Sequence, residues 1–405
     1  MAETSSCAPA AQIPRTTCKL FGAIKALGTI QRSVVLVHGP KGCVYHINYI
    51  LGMRGDRPSE IYTTALNEHD VIFGAEGKLS EAIRSLDRTL SPDLLFVLSC
   101  CSSEIIGEDV GSAVRDTRTR ARIVPIAAGG FEGDLHAGYR ETLCQLVREF
   151  AHKPSVPAPR SVNLVGMFRA GPDLAEMRSL LAMIGVSVSA VLTAGSWRAD
   201  LERLGDAALN IVVCEPSGKD AAGLLKTLCG TPYIVEEIPT GYRSSLRFLE
   251  RVADALGVPA PGSLPAGHAN APDCRFLASR RIALVSGPTR AISMVRFLAE
   301  YQVVPRLVIV DADPASGEKI RGMGIPTGEV LIGPGHELIM QKLREHNIDL
   351  LIGGMLELPL AKELSIDHID IMHGSELTAG FSGAENLARL IRKKAPGLRE
   401  KGEGR

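Results

Sequence analysis

The segment VVLVHGPKGC, residues 34–43, decides the fold class. Its run of β-branched and apolar residues predicts a buried strand, and the glycine and proline residues that follow predict a tight turn. The strand therefore delivers Cys43 near its carboxyl end. LLFVLSCC (residues 94–101) and LNIVVCEPSG (residues 209–218) repeat the arrangement, so three predicted strands each lead into a cysteine.

Cysteines at the ends of strands suggest metal ligation. Open α/β sheets bind ligands in the crevice beyond the carboxyl ends of their strands, and thiolates are soft ligands. A single cysteine is more often a small, buried core residue. Three cysteines in equivalent places favour one or more metal sites.

Length and composition limit the classes of function. A chain of 405 residues exceeds the size of one hydrophobic core, so two or three domains are expected. Lys+Arg and Asp+Glu are equal at 45 each, which gives no electrostatic reason to expect a nucleic acid or a membrane as partner. Small molecules or other proteins are the expected partners.

The sequence also predicts a cytoplasmic protein. No apolar run approaches the roughly 20 residues of a membrane-spanning helix, and residues 1–15 lack the order of a secretory signal. In a reducing compartment, 9 cysteines, an odd number, do not suggest a disulfide framework.

Strand and helix patterns alternate along the chain, as in parallel sheets. Proline-rich segments at residues 152–160 and 258–273 predict linkers. We therefore expect an N-terminal domain at residues 1–155, a middle domain at 156–272 and a C-terminal domain at 273–405. Residues 48–60 are expected to form a polar loop. No Walker phosphate loop is present, so the chain itself is not expected to hydrolyse nucleotides.

The first domain holds three candidate metal ligands, Cys18, Cys43 and Cys101. Their spacing is too wide for a zinc ribbon or a bacterial ferredoxin motif, which draw ligands from short loops. Three thiolates also leave an iron–sulfur cluster short of ligands unless a second subunit supplies the rest.

The motifs HGPKGC, TTALNEHDVIFGAEGKL, SCCSSEIIGEDV, LNIVVCEPSG and MHGSELTAGFSGAENLARL resemble those of the nitrogenase superfamily, in the larger component that holds the metal clusters. The resemblance runs from about Thr16 to Lys394. It implies an α/β fold of three Rossmann-like, doubly wound parallel-sheet domains around a central metal-cluster cavity.

The resemblance assigns roles to the cysteines. Cys18, Cys43 and Cys101 resemble the ligands of the P-cluster, the iron–sulfur cluster at the subunit interface. Cys101 is chosen because the family's ligand lies six residues before the glycine that corresponds to Gly107. This leaves Cys100 as an expected core residue.

Cys214 and His373 resemble the two ligands that hold opposite ends of the large active-site iron–sulfur cofactor, which is similar to the iron–molybdenum cofactor but of unspecified heterometal. His136 occupies the region of the loop that flanks this cofactor and is the third catalytic candidate. The loop itself is not reproduced, which speaks against dinitrogen as the substrate.

The resemblance implies a catalytic D-type subunit of a nitrogenase-like reductase. The short chain and its Cys214 and His373 pair best fit the enzymes that reductively cleave methylthio-alkanes to methanethiol and hydrocarbon. The alternatives are a scaffold for assembly of the iron–molybdenum cofactor, a dinitrogenase α-type subunit and a tetrapyrrole reductase. Implied partners are a homologous K-type subunit, in a heterotetramer of two D and two K chains, an ATP-hydrolysing iron protein as electron donor and a small-molecule substrate.

Overall fold

The computed structural model describes residues 17–53, 60–154, 158–168, 171–261, 274–311, 313–372 and 376–394. These residues form three parallel β-sheets with helices between successive strands. Each sheet lies within one of the three predicted domains, whose boundaries stay predictions. The α/β fold with three parallel-sheet units is confirmed.

The first sheet has the strand order β2-β1-β3-β4. Its strands are β1 (Ser33–His38), β2 (Ile61–Thr63), β3 (Leu94–Ser99) and β4 (Arg122–Ile126). All six residues of β3 are buried, as its continuous apolar sequence predicts for a central parallel strand.

The second sheet has the order β6-β5-β7-β8. Its strands are β5 (Ala158–Met167), β6 (Ser187–Thr193), β7 (Ala207–Val212) and β8 (Tyr233–Val235). The third sheet has the order β11-β10-β9-β12-β13. It contains β9 (Ile282–Ser286), β10 (Leu307–Val310), β11 (Glu329–Ile332), β12 (Leu350–Gly353) and β13 (Asp367–Asp370).

Helices cover the sheets and pack the apolar faces away from solvent. In chain order they are α1 (Lys19–Leu27), α2 (Lys41–Met53), α3 (Glu68–Phe73), α4 (Glu76–Leu90), α5 (Cys101–Ile105), α6 (Val110–Asp116), α7 (Leu135–Phe150), α8 (Pro172–Met183), α9 (Arg198–Glu202), α10 (Glu215–Cys229), α11 (Tyr242–Leu256), α12 (Pro288–Glu300), α13 (Pro314–Gly322), α14 (His336–Glu345), α15 (Leu358–Glu363) and α16 (Gly380–Lys394). Among the described residues, no helix is long and apolar enough to cross a membrane.

Two local predictions were wrong. Residues 48–53, expected in a loop, belong to α2, because Val44, Ile47 and Leu51 form a buried stripe at helical spacing. The strand β5 begins at Ala158, inside the predicted linker, where Ala158 pairs with Ala207. Pro159 is tolerated there because it lies at the start of the strand.

Candidate functional site

Cys18, Cys43, Cys100 and Cys101 lie close together, and we call them the cysteine group. Cys43, Cys100 and Cys101 lie at the carboxyl end of the first sheet, as predicted. Cys18 is the N-cap residue of α1, Cys43 lies in the first turn of α2, and Cys100 and Cys101 follow β3 directly. Gly130 lies between two of them: a Cβ atom at this position would be 3.1 Å from the Cys18 Cβ atom and 3.3 Å from the Cys101 sulfur. The glycine therefore leaves room around both thiols.

Cys43 and Cys100 form a second contact in the same group. The hydrogen bond between their side chains, together with burial and the other thiols nearby, raises the pKa of Cys43. The Cys100 thiol donates to the His38 carbonyl oxygen at 3.3 Å. Cys100 is 1% exposed, as expected for a core residue, whereas Cys18 is exposed and Cys101 is half-buried.

The donors of the cysteine group are thiols, and thiolates are the ligands of iron–sulfur clusters. Within the described part of the chain, no three Cys, His, Asp or Glu side chains are close enough to hold one metal ion. Iron–sulfur clusters take thiolate ligands around a body of several iron atoms, so their ligands can be farther apart. The backbone N–H of Gly130 already donates to the Cys101 sulfur at 3.1 Å, and such hydrogen bonds tune clusters. Ligation by Cys18, Cys43 and Cys101 stays a prediction.

The close crossing of α1 and α7 positions Cys18 next to a second candidate site, which is a cavity. Just before these helices, Cys18 forms an isolated antiparallel bridge with Asp134, and the Leu135 N–H donates to the Thr17 carbonyl oxygen at 2.9 Å. Thr17 itself lines a cavity to which residues from all three predicted domains contribute. One peptide bond therefore separates the cavity wall from the first thiol of the cysteine group.

This cavity of about 260 Å³ contains the predicted cofactor cysteine. The strand β7 ends just before Cys214, which is the N-cap residue of α10 and is 4% exposed. Gly166, at φ +84°, makes the close approach possible, because a Cβ atom there would lie 3.2 Å from the Cys214 Cβ atom. Burial raises the pKa of the Cys214 thiol, while hydrogen bonds from Thr289 and Ser217 act in the opposite direction.

His136 lines the same cavity from the first turn of α7. Its Nδ1 atom lies 3.3 Å from the Ser217 hydroxyl, on the helix that Cys214 caps. Burial lowers the pKa of His136, which keeps the imidazole neutral at pH 7. The structure thus places Cys214 and His136, two of the predicted catalytic residues, around one cavity.

The third predicted residue, His373, lies outside the described residues. Met372, the residue before it, lines the cavity beyond the end of β13. Ligation by His373 and Cys214 stays a prediction. Cys144 and Cys229 lie in α7 and α10, and Cys274 is fully buried, away from the candidate ligands.

The sequence did not reveal the role of Asp173, at the start of α8. Its carboxylate accepts hydrogen bonds from the Thr378 N–H at 2.6 Å and the Ala379 N–H at 2.9 Å, and it pairs with Arg290 at 3.1 Å. Asp173 and Arg290 both line the cavity. No local motif marks such a contact, because Asp173 and Thr378 are 205 residues apart in the sequence.

Six large apolar side chains of the first domain are each more than half exposed, and we call them the apolar rim. They are Tyr45, Tyr49, Ile72, Phe73, Ile105 and Phe131. Large exposed apolar patches commonly mark protein–protein interfaces. The apolar rim is therefore a candidate surface for a partner subunit.

Comparisons with known proteins agree with this geometry. The family model for nitrogenase component 1 type oxidoreductases matches residues 18–394. The chain is 27% identical over 400 residues to the nitrogenase iron-molybdenum cofactor biosynthesis protein NifE of Clostridium pasteurianum, covering 94% of this chain and 87% of that protein. It is 24% identical over 398 residues to the nitrogenase molybdenum-iron protein beta chain of Methanococcus maripaludis, covering 87% of this chain and 86% of the relative.

A solved structure titled "Nitrogenase Cp1 at pH 6.5" superposes with a TM-score of 0.85 at 18% identity. The superposition covers 99% of this chain and 98% of the chain in the solved structure, which shows that the two chains share a fold. The family model covers nearly the whole length and includes all four candidate cysteine ligands. The chain therefore belongs to the nitrogenase component 1 type oxidoreductase family.

Proposed function

We propose that this chain is a scaffold subunit that holds a large iron–sulfur cofactor precursor during its assembly and then passes it on. The observation that carries the proposal is the likeness to NifE, which is named as a cofactor biosynthesis protein, over 94% of this chain. The likeness to a cofactor biosynthesis protein favours this function over that of a methylthio-alkane reductase.

The cavity offers a soft ligand to such a precursor. Among the described residues that line the cavity, Cys214 supplies the one thiol. Cys214 would hold the precursor, and His373, as the sequence resemblance implies, would hold its other end.

The cysteine group would hold a resident cluster of the P-cluster type. Cys18, Cys43 and Cys101 supply three thiolates, so a homologous K-type subunit would complete the ligand set across the apolar rim. Such a cluster supplies one-electron transfer. In the proposed assembly, two copies of each chain form a heterotetramer, and an ATP-hydrolysing iron protein supplies the electrons.

The test of the scaffold function is transfer of cargo. The chain should be purified with its partner in the absence of oxygen, loaded with precursor and mixed with a nitrogenase component 1 that lacks its cofactor. We expect the acceptor to gain activity as iron leaves the scaffold. The Cys214→Ala variant should lose the cargo but keep the resident cluster, and Cys144→Ala serves as the matched control. A loaded complex that never activates the acceptor would refute the scaffold.

A second candidate is the methylthio-alkane reductase. His136 favours it, because a buried imidazole that lines the same cavity as Cys214 can take up a proton and pass it on to a substrate during reduction. The complete complex, supplied with iron protein, ATP and reductant, should be offered 2-(methylthio)ethanol or dimethyl sulfide beside dinitrogen and acetylene. Methanethiol that disappears in Cys214→Ala would establish this activity instead, and ammonia would favour a true nitrogenase.

A further inference from the structure

Glu104 organises the loop that contacts the cysteine group. It lies in α5, three residues after Cys101. Its Oε1 atom accepts hydrogen bonds from the Ser99 hydroxyl at 2.5 Å and from the Gly129 N–H at 2.8 Å. The Ser99 oxygen in turn accepts from the Ala128 N–H at 3.0 Å. Two consecutive amides of the loop are thus held by this pair of side chains.

The next amide of the loop reaches the candidate cluster ligand. The Gly130 N–H donates to the Cys101 sulfur at 3.1 Å. Its direction depends on residues 128 and 129, because consecutive peptide planes share their Cα atoms. The hydrogen bonds that Glu104 and Ser99 accept therefore fix the donor that points at Cys101.

The Glu104 carboxylate occupies the space in which a side chain of residue 129 would lie. A Cβ atom at Gly129 would lie 1.7 Å from the Glu104 Oε2 atom. The backbone of Gly129, at φ −57° and ψ 133°, is one that alanine adopts without strain. The side chain of Glu104 is thus the obstacle to a methyl group at this position. Replacing Gly129 by alanine would push the carboxylate away from the loop.

We propose that Glu104 is a positioning residue that sets the reduction potential of the resident cluster by holding the Gly130 N–H against the Cys101 sulfur. The inference rests on the proposed cluster site and assigns Glu104 no ligand role. Hydrogen bonds to cluster sulfurs stabilise the more negative, reduced state and raise the potential. A carboxylate near the cluster has the opposite effect through its charge.

The effect of the hydrogen bond and the effect of the charge can be separated by two substitutions that should shift the reduction potential in opposite directions. Glu104→Gln removes the charge and keeps an acceptor for the Gly129 N–H, so the midpoint potential should rise. Gly129→Ala keeps the charge and displaces the acceptor, so the potential should fall. Asp109→Asn is the matched control: Asp109 lines a surface groove together with Ser99 and Glu104, and its carboxylate caps α6 by accepting from the Ser112 N–H. Asparagine caps a helix equally well.

The experiment is a redox titration of the complex purified without oxygen, followed by electron paramagnetic resonance, with iron content measured for each variant. A lower potential in Gly129→Ala, a higher one in Glu104→Gln and little change in Asp109→Asn would support the assignment. A Gly129→Ala complex with a full cluster and an unchanged or higher potential would overturn it. A wild-type complex with no cluster would refute the cluster site itself.

A second measurement needs no cluster. Because the methyl group of Gly129→Ala collides with Glu104, this substitution should lower the thermal unfolding temperature in the native background. In the Glu104→Ala background the space is vacant, so the same substitution should cost much less. Equal losses in the two backgrounds would show that Glu104 does not occupy the loop as inferred.

Discussion

Gly22 of α1 and Gly138 of α7 lie where the two helices cross, each against the backbone of the other helix. A Cβ atom at Gly22 would be 2.0 Å from the Leu135 carbonyl oxygen, and one at Gly138 would be 1.9 Å from the Lys19 carbonyl oxygen. Since Cys18 precedes α1 and His136 opens α7, this crossing sets the relative positions of the cysteine group and the cavity.

Gly138→Ala should separate the two helices. The added methyl group meets backbone atoms that cannot move aside locally, and we expect the free energy of unfolding to fall by about 3 kcal/mol. Chemical unfolding followed by circular dichroism measures this loss. Gly77→Ala in α4 is the control, because nothing lies within 4 Å of its added Cβ atom. Similar losses for the two variants would show that the crossing is not tight.

Cys101→Ala should remove the signal of the resident cluster, whereas Cys100→Ala should leave it. The reason is that Cys101 is half-buried beside Gly130 and Cys18, whereas Cys100 is buried and bonded to the His38 carbonyl oxygen. Electron paramagnetic resonance and iron analysis of the two variants distinguish them. If Cys100→Ala were the damaging change, the assignment of the ligand within this pair would be wrong.

Phe73→Asp should weaken pairing with the partner subunit. Phe73 is 73% exposed in the apolar rim, and a charge there would have to be desolvated in an interface. In size-exclusion chromatography of the co-expressed chains, the variant complex should dissociate at a higher protein concentration than the native complex. Leu338→Asp, at an exposed position of α14, is the control. The chain purified alone should be poor in iron, and a monomer with a full cluster would contradict the shared site.

Asp173→Asn should make the free energy of unfolding depend less on pH in the acidic range. Burial favours the neutral acid, but Arg290 and the amides of Thr378 and Ala379 outweigh it and lower the pKa of Asp173 below its ordinary value of 3.8. The ionised carboxylate therefore stabilises the fold above that pH, and this contribution is lost as the pH falls through the lowered pKa.

At pH 7 the Asp173→Asn variant should be about 3 kcal/mol less stable, because Arg290 loses its partly buried partner. Below pH 3.8 the difference should shrink. Urea unfolding across pH 7 to 3 measures both effects. Asp254→Asn, at an exposed position of α11, should follow the native curve. A constant difference between Asp173→Asn and the native protein at every pH would rule out this role for the charge.

The fold was predictable because buried parallel strands require continuous apolar runs, such as LLFVLS in β3, and these are visible locally. Cysteines that follow such runs must lie at the carboxyl edge of a sheet, which placed Cys43, Cys101 and Cys214 correctly. Residues 48–53 were misjudged because Asn48, Tyr49 and Gly52 suggest a loop, while the stripe that makes them helical begins earlier, at Val44.

Contacts between distant segments were not predictable. The sequence around Glu104 indicates only a charged residue of a short helix. Its role depends on contact with Gly129, which is distant in the sequence. The same holds for Asp173 and for the meeting of α1 with α7. Such pairs are set by the three-dimensional path of the chain, which no local periodicity encodes.

The adjacency of Thr17 and Cys18 has a consequence for the order of maturation. The bridge between Cys18 and Asp134 holds the Cys18 thiol and the cavity-lining residue Thr17 against the same part of the chain. Under the proposed function, a chain in which Thr17 and Cys18 have not met the start of α7 would present neither the cluster site nor the cavity to incoming metal.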